Sequence, residues 1–115
     1  MPKSTLNWKT RRALTENAKA QPGEFFSAGR ELMAADMLAE AADLMARAGD
    51  AEGLGLLRAR AVEEGNFFLY QMAVRLQKAE PEGGELEALA DRAASLGLAA
   101  YENSARKLLA ERKPR

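Results

Sequence analysis

The sequence predicts an all-α protein, an antiparallel helical bundle of three long helices with a shorter N-terminal helix. Three observations lead there. Alanine, leucine, glutamate and arginine dominate the 115 residues and isoleucine is absent, so good helix formers fill the chain while β-branched residues are scarce. No stretch alternates apolar and polar side chains in the manner of a half-buried strand. Apolar residues instead recur at intervals of three and four over long runs. The length is that of one ordinary domain, able to bury a core without staples. A single domain over 1–115 is expected, with short loose ends at about 1–3 and 113–115.

The shorter helix comes first. Ser4 or Thr5 can cap it, and it runs to about Ala20 with a thin stripe of Leu6, Ala13, Leu14 and Ala18 beside Trp8. Gln21-Pro22-Gly23 stops it, because proline disfavours helical geometry in the residue ahead. The second helix is expected over about 24–48, with Glu24 near the positive end of its dipole. One apolar seam is Phe25, Ala28, Leu32, Ala35, Ala39 and Ala42. A second is Ala34, Leu38, Ala41, Met45 and Ala48. So broad a face touches two neighbours. Gly49 suits the C-terminal end and Asp50 can cap the next helix.

The third helix is expected over about 51–79. Leu54, Leu57, Ala61, Gly65, Phe68, Met72, Leu76 and Ala79 keep a three-four rhythm through Gly65. A break would ordinarily lose that phase, so Gly65 is read as internal, at a cost of roughly 1 kcal/mol relative to alanine, where it permits a kink or a close helix crossing. The competing reading is a turn at Gly65-Asn66 that splits the segment into two short helices. Pro81 to Gly84 is a stop, and a last helix follows over about 85–111. Small residues cluster in it at Ala93, Ala94, Gly97 and Ala100, suited to close helix contact. Short loops make the three long helices run up and down. The stretch from Gly65 to Pro81 resembles the second half of a tetratricopeptide repeat, but the alanine is displaced and no second copy follows at 34 residues.

Composition narrows the chemistry. Cysteine and histidine are both absent, which removes disulfides, thiolate metal sites, the commonest general base and the commonest nitrogen ligand. No cofactor is expected. Glu40 and Asp43 place two carboxylates one helical turn apart. The pair resembles a half-site of the all-helical nucleotide pyrophosphatases, which hold magnesium between helices. Glu31 is out of register with a second such pair, so Glu40 and Asp43 are weak metal candidates and a magnesium-dependent enzyme ranks third among the functional readings. Nothing resembles a signal peptide, and no run of eighteen uncharged apolar residues could cross a membrane. The expected compartment is the cytoplasm.

Seventeen Lys and Arg balance seventeen Asp and Glu, yet the two ends are basic and the middle acidic. Lys9, Arg12 and Lys19 lie near Trp8, and Arg106, Lys107, Arg112 and Lys113 near the other end. Together they form the candidate nucleic-acid contacts of the second reading. The first reading is non-catalytic: binding of another protein, or of a second copy as a homodimer. Phe25-Phe26 and Phe67-Phe68 are adjacent pairs whose members point about 100° apart on a helix. Phe26, Phe67 and Tyr70 are expected to be the outward members. With Trp8 they make the candidate protein interface.

Overall fold

The structure, a computed structural model, describes residues 22–112. The expected N-terminal helix lies outside the described residues, with Trp8, Lys9, Arg12 and Lys19, and so do Lys113 and the loose end at 113–115. The described residues form six helices and no strand: α1 (Pro22–Ala34), α2 (Leu38–Ala48), α3 (Ala51–Glu64), α4 (Phe67–Leu76), α5 (Gly83–Ser95) and α6 (Ala99–Arg112). The all-helical class is as the sequence predicts. The three long helices are not: each expected long helix is a pair of short ones joined by a tight turn. The chain also divides into two units, Met1–Leu54 and Gly55–Arg115, with the division inside α3.

One hydrogen-bonded device makes all five connections. A residue in left-handed geometry follows each of the first five helices: Asp36 at φ 67°, Gly49 at 68°, Gly65 at 65°, Lys78 at 57° and Gly97 at 75°. The amide after it reaches back five residues, as in Met37 N–H to Leu32 O at 2.9 Å, Asn66 N–H to Ala61 O at 2.9 Å and Leu98 N–H to Ala93 O at 2.8 Å. The left-handed residue itself donates to the carbonyl three back, as in Gly65 to Val62 at 3.2 Å. These are Schellman turns, which satisfy carbonyls that a helix end leaves without partners.

The buried positions repeat around three of these turns. Four and eight residues before Asp36, Gly65 and Gly97 lie Leu32 and Ala28, Ala61 and Leu57, and Ala93 and Leu89. Eight residues after them lie Leu44, Ala73 and Ala105, and all nine side chains are buried. The chain thus contains three helix–turn–helix units of one local design, α1–α2, α3–α4 and α5–α6. They escape a search for a 34-residue signature because Asp36 and Gly65 are 29 residues apart, as are Gly49 and Lys78.

In the first unit α1 packs along α2. Pro22 opens α1, where its missing N–H has no helical partner to lose. Gly29 brings the two helices close: a methyl group there would sit 3.0 Å from Met45 Cγ and 3.3 Å from the Met45 backbone nitrogen. Ala41, Ala42, Leu44 and Met45 are fully buried on the facing side. A continuous helix over 24–48 would have run Ala35 and Ala39 along the first seam, but both are exposed. Turning back at Asp36 costs about 1 kcal/mol for a non-glycine residue in left-handed geometry. Burying a leucine such as Leu32 or Leu44 gains about 2 kcal/mol each, so packing overrides the helix propensity of the alanines.

In the second unit α5 packs along α6, and α4 also meets α6. Here the turn at Gly65-Asn66 corrects the expectation of one helix over 51–79. Gly65 is a close crossing point, though not inside a helix. A methyl group on it would lie 2.7 Å from the Ala93 nitrogen and 2.8 Å from Ala93 Cα. The Asn66 side chain caps α4, accepting from Leu69 N–H at 3.0 Å. The apolar rhythm did not survive the turn. Leu54, Leu57 and Ala61 are buried, but beyond Asn66 the buried set is Leu69, Tyr70, Ala73 and Val74, while Phe68 and Ala79 are exposed. Gly97 likewise ends α5, dividing the expected 85–111 helix, and Ala94 and Ala100 are exposed. Of the expected stop at Pro81 to Gly84, Pro81 and Glu82 fall between α4 and α5, while Gly83 and Gly84 already form the first turn of α5.

Candidate interaction surface

The adjacent phenylalanines are the first feature to place. On α1, Phe26 is 43% exposed and Phe25 half-buried. The Arg30 guanidinium lies 4.8 Å from the centre of the Phe26 ring, within cation–π range. On α4 the expected order is reversed. Phe68 is the outward member at 57% exposed, and Phe67 is half-buried. Tyr70, expected to extend an outward strip, is fully buried. The reversal follows from the Gly65-Asn66 turn, which shifts the buried face of α4 by one residue. Met37 in the first unit, and Leu56 and Leu96 in the second, are further large apolar side chains left in solvent.

Each unit also holds a polar cluster. In the first, Asp50 is a buried carboxylate at the start of α3. Its Oδ1 accepts from Gly53 N–H at 2.9 Å, the hydrogen bond of an N-cap. Its Oδ2 accepts from Arg30 Nε at 2.7 Å, and Oδ1 also from Arg30 Nη2 at 3.1 Å. The bidentate guanidinium holds the Asp50 carboxyl below the usual aspartate range, assisted by the Gly53 amide and opposed by burial. Gly53 is without a side chain for cause, since a methyl group there would overlap the Asp50 carboxylate and lie 2.8 Å from Met45 Sδ.

In the second unit Tyr70 is the centre. Its hydroxyl donates to Glu85 Oε1 at 2.6 Å and accepts from Glu82 N–H at 3.0 Å. Arg58 lies 5.5 Å from the ring centre and donates to Glu85 Oε1 at 2.8 Å, Gln77 Oε1 at 2.9 Å and the Glu80 carbonyl at 3.0 Å. Burial, and then the hydrogen bond to Glu85, push the phenol pKa up. The cluster ties α3, α4 and α5 to the connection at 77–82. Sequence reasoning missed it because its members are scattered over 28 positions. The one available signal is that a tyrosine buried in an apolar helix needs a partner for its hydroxyl.

The remaining candidates separate. Arg106 pairs with Glu102 at 2.9 Å and Asp91 at 3.1 Å, and Arg112 with Glu80 at 3.6 Å, while Lys107 is exposed. Asp43 accepts from Arg47 at 3.2 Å and Glu40 is half-buried. Among the described residues no group of three or more carboxylates is placed to hold a metal ion. Val62, Glu63, Glu64, Ala88 and Arg92 line an open recess of about 600 Å³ in the second unit, where Arg92 Nε donates to the Glu63 carbonyl at 2.9 Å. No helix is long and apolar enough to cross a membrane among the described residues. Set against protein-family models, curated proteins and solved structures, the chain matches none.

Proposed function

We propose that this protein is a non-catalytic protein-binding module, and that its first partner is a second copy of itself. Phe68 carries the reading. It is a large aromatic side chain more than half in solvent, on a helix whose opposite face is anchored by the fully buried Tyr70 and Ala73. An aromatic presented on a rigid helix is the kind of side chain that dominates binding energy at interfaces. Phe26, braced by Arg30, has the same character. The polar clusters support the reading from the other side, because Asp50, Arg58, Tyr70 and Glu85 are already occupied in holding helices together. The nucleic-acid reading draws on Lys9, Arg12, Lys19 and Lys113, outside the described residues, and on Arg106, Lys107 and Arg112, of which Arg106 and Arg112 already face carboxylates.

Light scattering after size exclusion, at low and moderate salt, tests this. The expected mass is a whole multiple of the chain and is unaffected by salt. Phe68→Ala is expected to weaken association by about tenfold, equivalent to about 1.4 kcal/mol. A monomer at every concentration would contradict self-association.

A further inference from the structure

The open recess of the second unit, between the end of α3 and the middle of α5, holds an unusual pair of charges. Val62 and Ala88 supply its apolar lining. Arg58, Arg106 and Arg112 of the same unit all face carboxylates, but Arg92 does not. Its Nε donates to the Glu63 carbonyl at 2.9 Å, one of the groups that a helix end leaves without a partner. That bond anchors the guanidinium beside Glu63 and leaves Nη1 and Nη2 without acceptors among the described residues. The exposed Glu63 carboxylate likewise has no partner there, whereas Glu64 is held by Arg60 at 2.8 Å. The recess thus presents one anion and one cation side by side, neither neutralised by the other's side chain.

We propose that this recess is occupied by the same recess of a second copy, with Glu63 of each copy paired to Arg92 of the other. The inference rests on the self-binding reading and gives it a geometry. A two-fold dimer joins one patch to itself, so each residue must suit its counterpart in both directions. A patch of a single charge repels its own copy. An adjacent carboxylate and guanidinium attract theirs twice, and the free Nη edge of Arg92 suits a carboxylate through two parallel hydrogen bonds. Phe68 belongs to the same part of the fold. It follows Gly65 by three residues, and the nitrogen of Ala93, next to Arg92, lies 2.7 Å from where a Gly65 side chain would begin. The aromatic contact supplies strength that salt does not touch, and the reciprocal charges set the orientation of the two copies.

Charge reversal in the full chain tests this, read by light scattering over a concentration series and by native mass spectrometry of mixed variants. Glu63→Arg makes the recess doubly basic and Arg92→Glu makes it doubly acidic. Both positions are exposed, and circular dichroism checks that each variant keeps its helices. Each variant alone is expected to self-associate at least about tenfold more weakly than the unaltered chain, because like charges then meet across the axis. An equimolar mixture of the two is expected to recover the association as a mixed pair. Glu63→Gln leaves every side-chain bond of the unit in place and is expected to weaken association several-fold. Undiminished association of the single variants, or a mixture that forms no mixed pair, would overturn the proposal and leave self-association through Phe68 standing. An unaltered chain that stays monomeric at every concentration would overturn both.

Discussion

The turns at Asp36-Met37 and Gly65-Asn66 share one hydrogen-bond pattern and nearly one backbone angle, 67° against 65°. They differ in what surrounds them. At Gly65 the backbone of Ala93 arrives within 2.7 Å of where a side chain would begin, so two demands coincide, positive φ and no Cβ. At Asp36 the residue is exposed and only the first demand applies. Aspartate meets it at modest cost, because a short polar side chain is tolerated there. Glycine is therefore required where a second helix crosses the turn, and optional where packing alone folds the chain back.

Substitutions sharpen this comparison. The largest effect is expected at Gly65. Gly65→Ala adds left-handed strain to a clash with the backbone of α5, which cannot move as a flexible side chain would, and should cost about 3 kcal/mol in urea unfolding. Asp50→Ala removes an N-cap and the bidentate partner of Arg30, leaving it only the longer pair with Glu52 at 3.7 Å, for a loss of about 2 kcal/mol. Asn66→Ala removes only the cap of α4 and should cost about 1 kcal/mol. Lys78 is exposed like Asp36 and in the same left-handed geometry, at φ 57°, and Lys78→Gly runs the other way, relieving the left-handed penalty without filling any space. It should stabilise by several tenths of a kcal/mol to about 1 kcal/mol, and a loss of stability there would break the comparison.

The two polar clusters divide the pH range between the units. The folded Asp50 carboxyl lies below its unfolded value. Its contribution is thus present above the ordinary aspartate pKa of about 3.9 and is lost as pH falls through the lower folded value. Tyr70 is the reverse, its folded pKa raised by burial and by Glu85. Its contribution is complete below the ordinary tyrosine value of about 10 and disappears as pH rises through the higher folded value. Thermal melts across pH should therefore lose part of their acid dependence in Asp50→Ala and part of their alkaline dependence in Tyr70→Phe.

The legible parts of the fold were those with dedicated residues. Helical class followed from composition. The Gly49-Asp50 connection was readable because glycine ends α2 and aspartate caps α3, as Gly53 N–H to Asp50 confirms. Pro81 to Gly84 announced the next boundary. The turn at Asp36 carries no such mark, since Ala34, Ala35 and Met37 suit a helix interior as well. At Gly65 the signal was present but outweighed by a three-four rhythm, which an alanine- and leucine-rich chain supplies on several faces at once. That choice then set the wrong face of α4, placing Tyr70 outside and Phe68 inside. The Arg58, Tyr70 and Glu85 cluster stayed hidden because only the turns bring α3, α4 and α5 to one place.

The claim on which the rest depends is that short helix–turn–helix units replace long helices. Backbone chemical shifts with amide–Hα couplings across residues 32–38 and 61–70 test it most directly, together with the proton contact between Gly65 Hα and the Ala93 amide. The structure predicts positive φ at Asp36 and Gly65, a non-helical Asn66 and a strong contact to Ala93. Unbroken helical shifts through both segments, with no contact between Gly65 and Ala93, would contradict it.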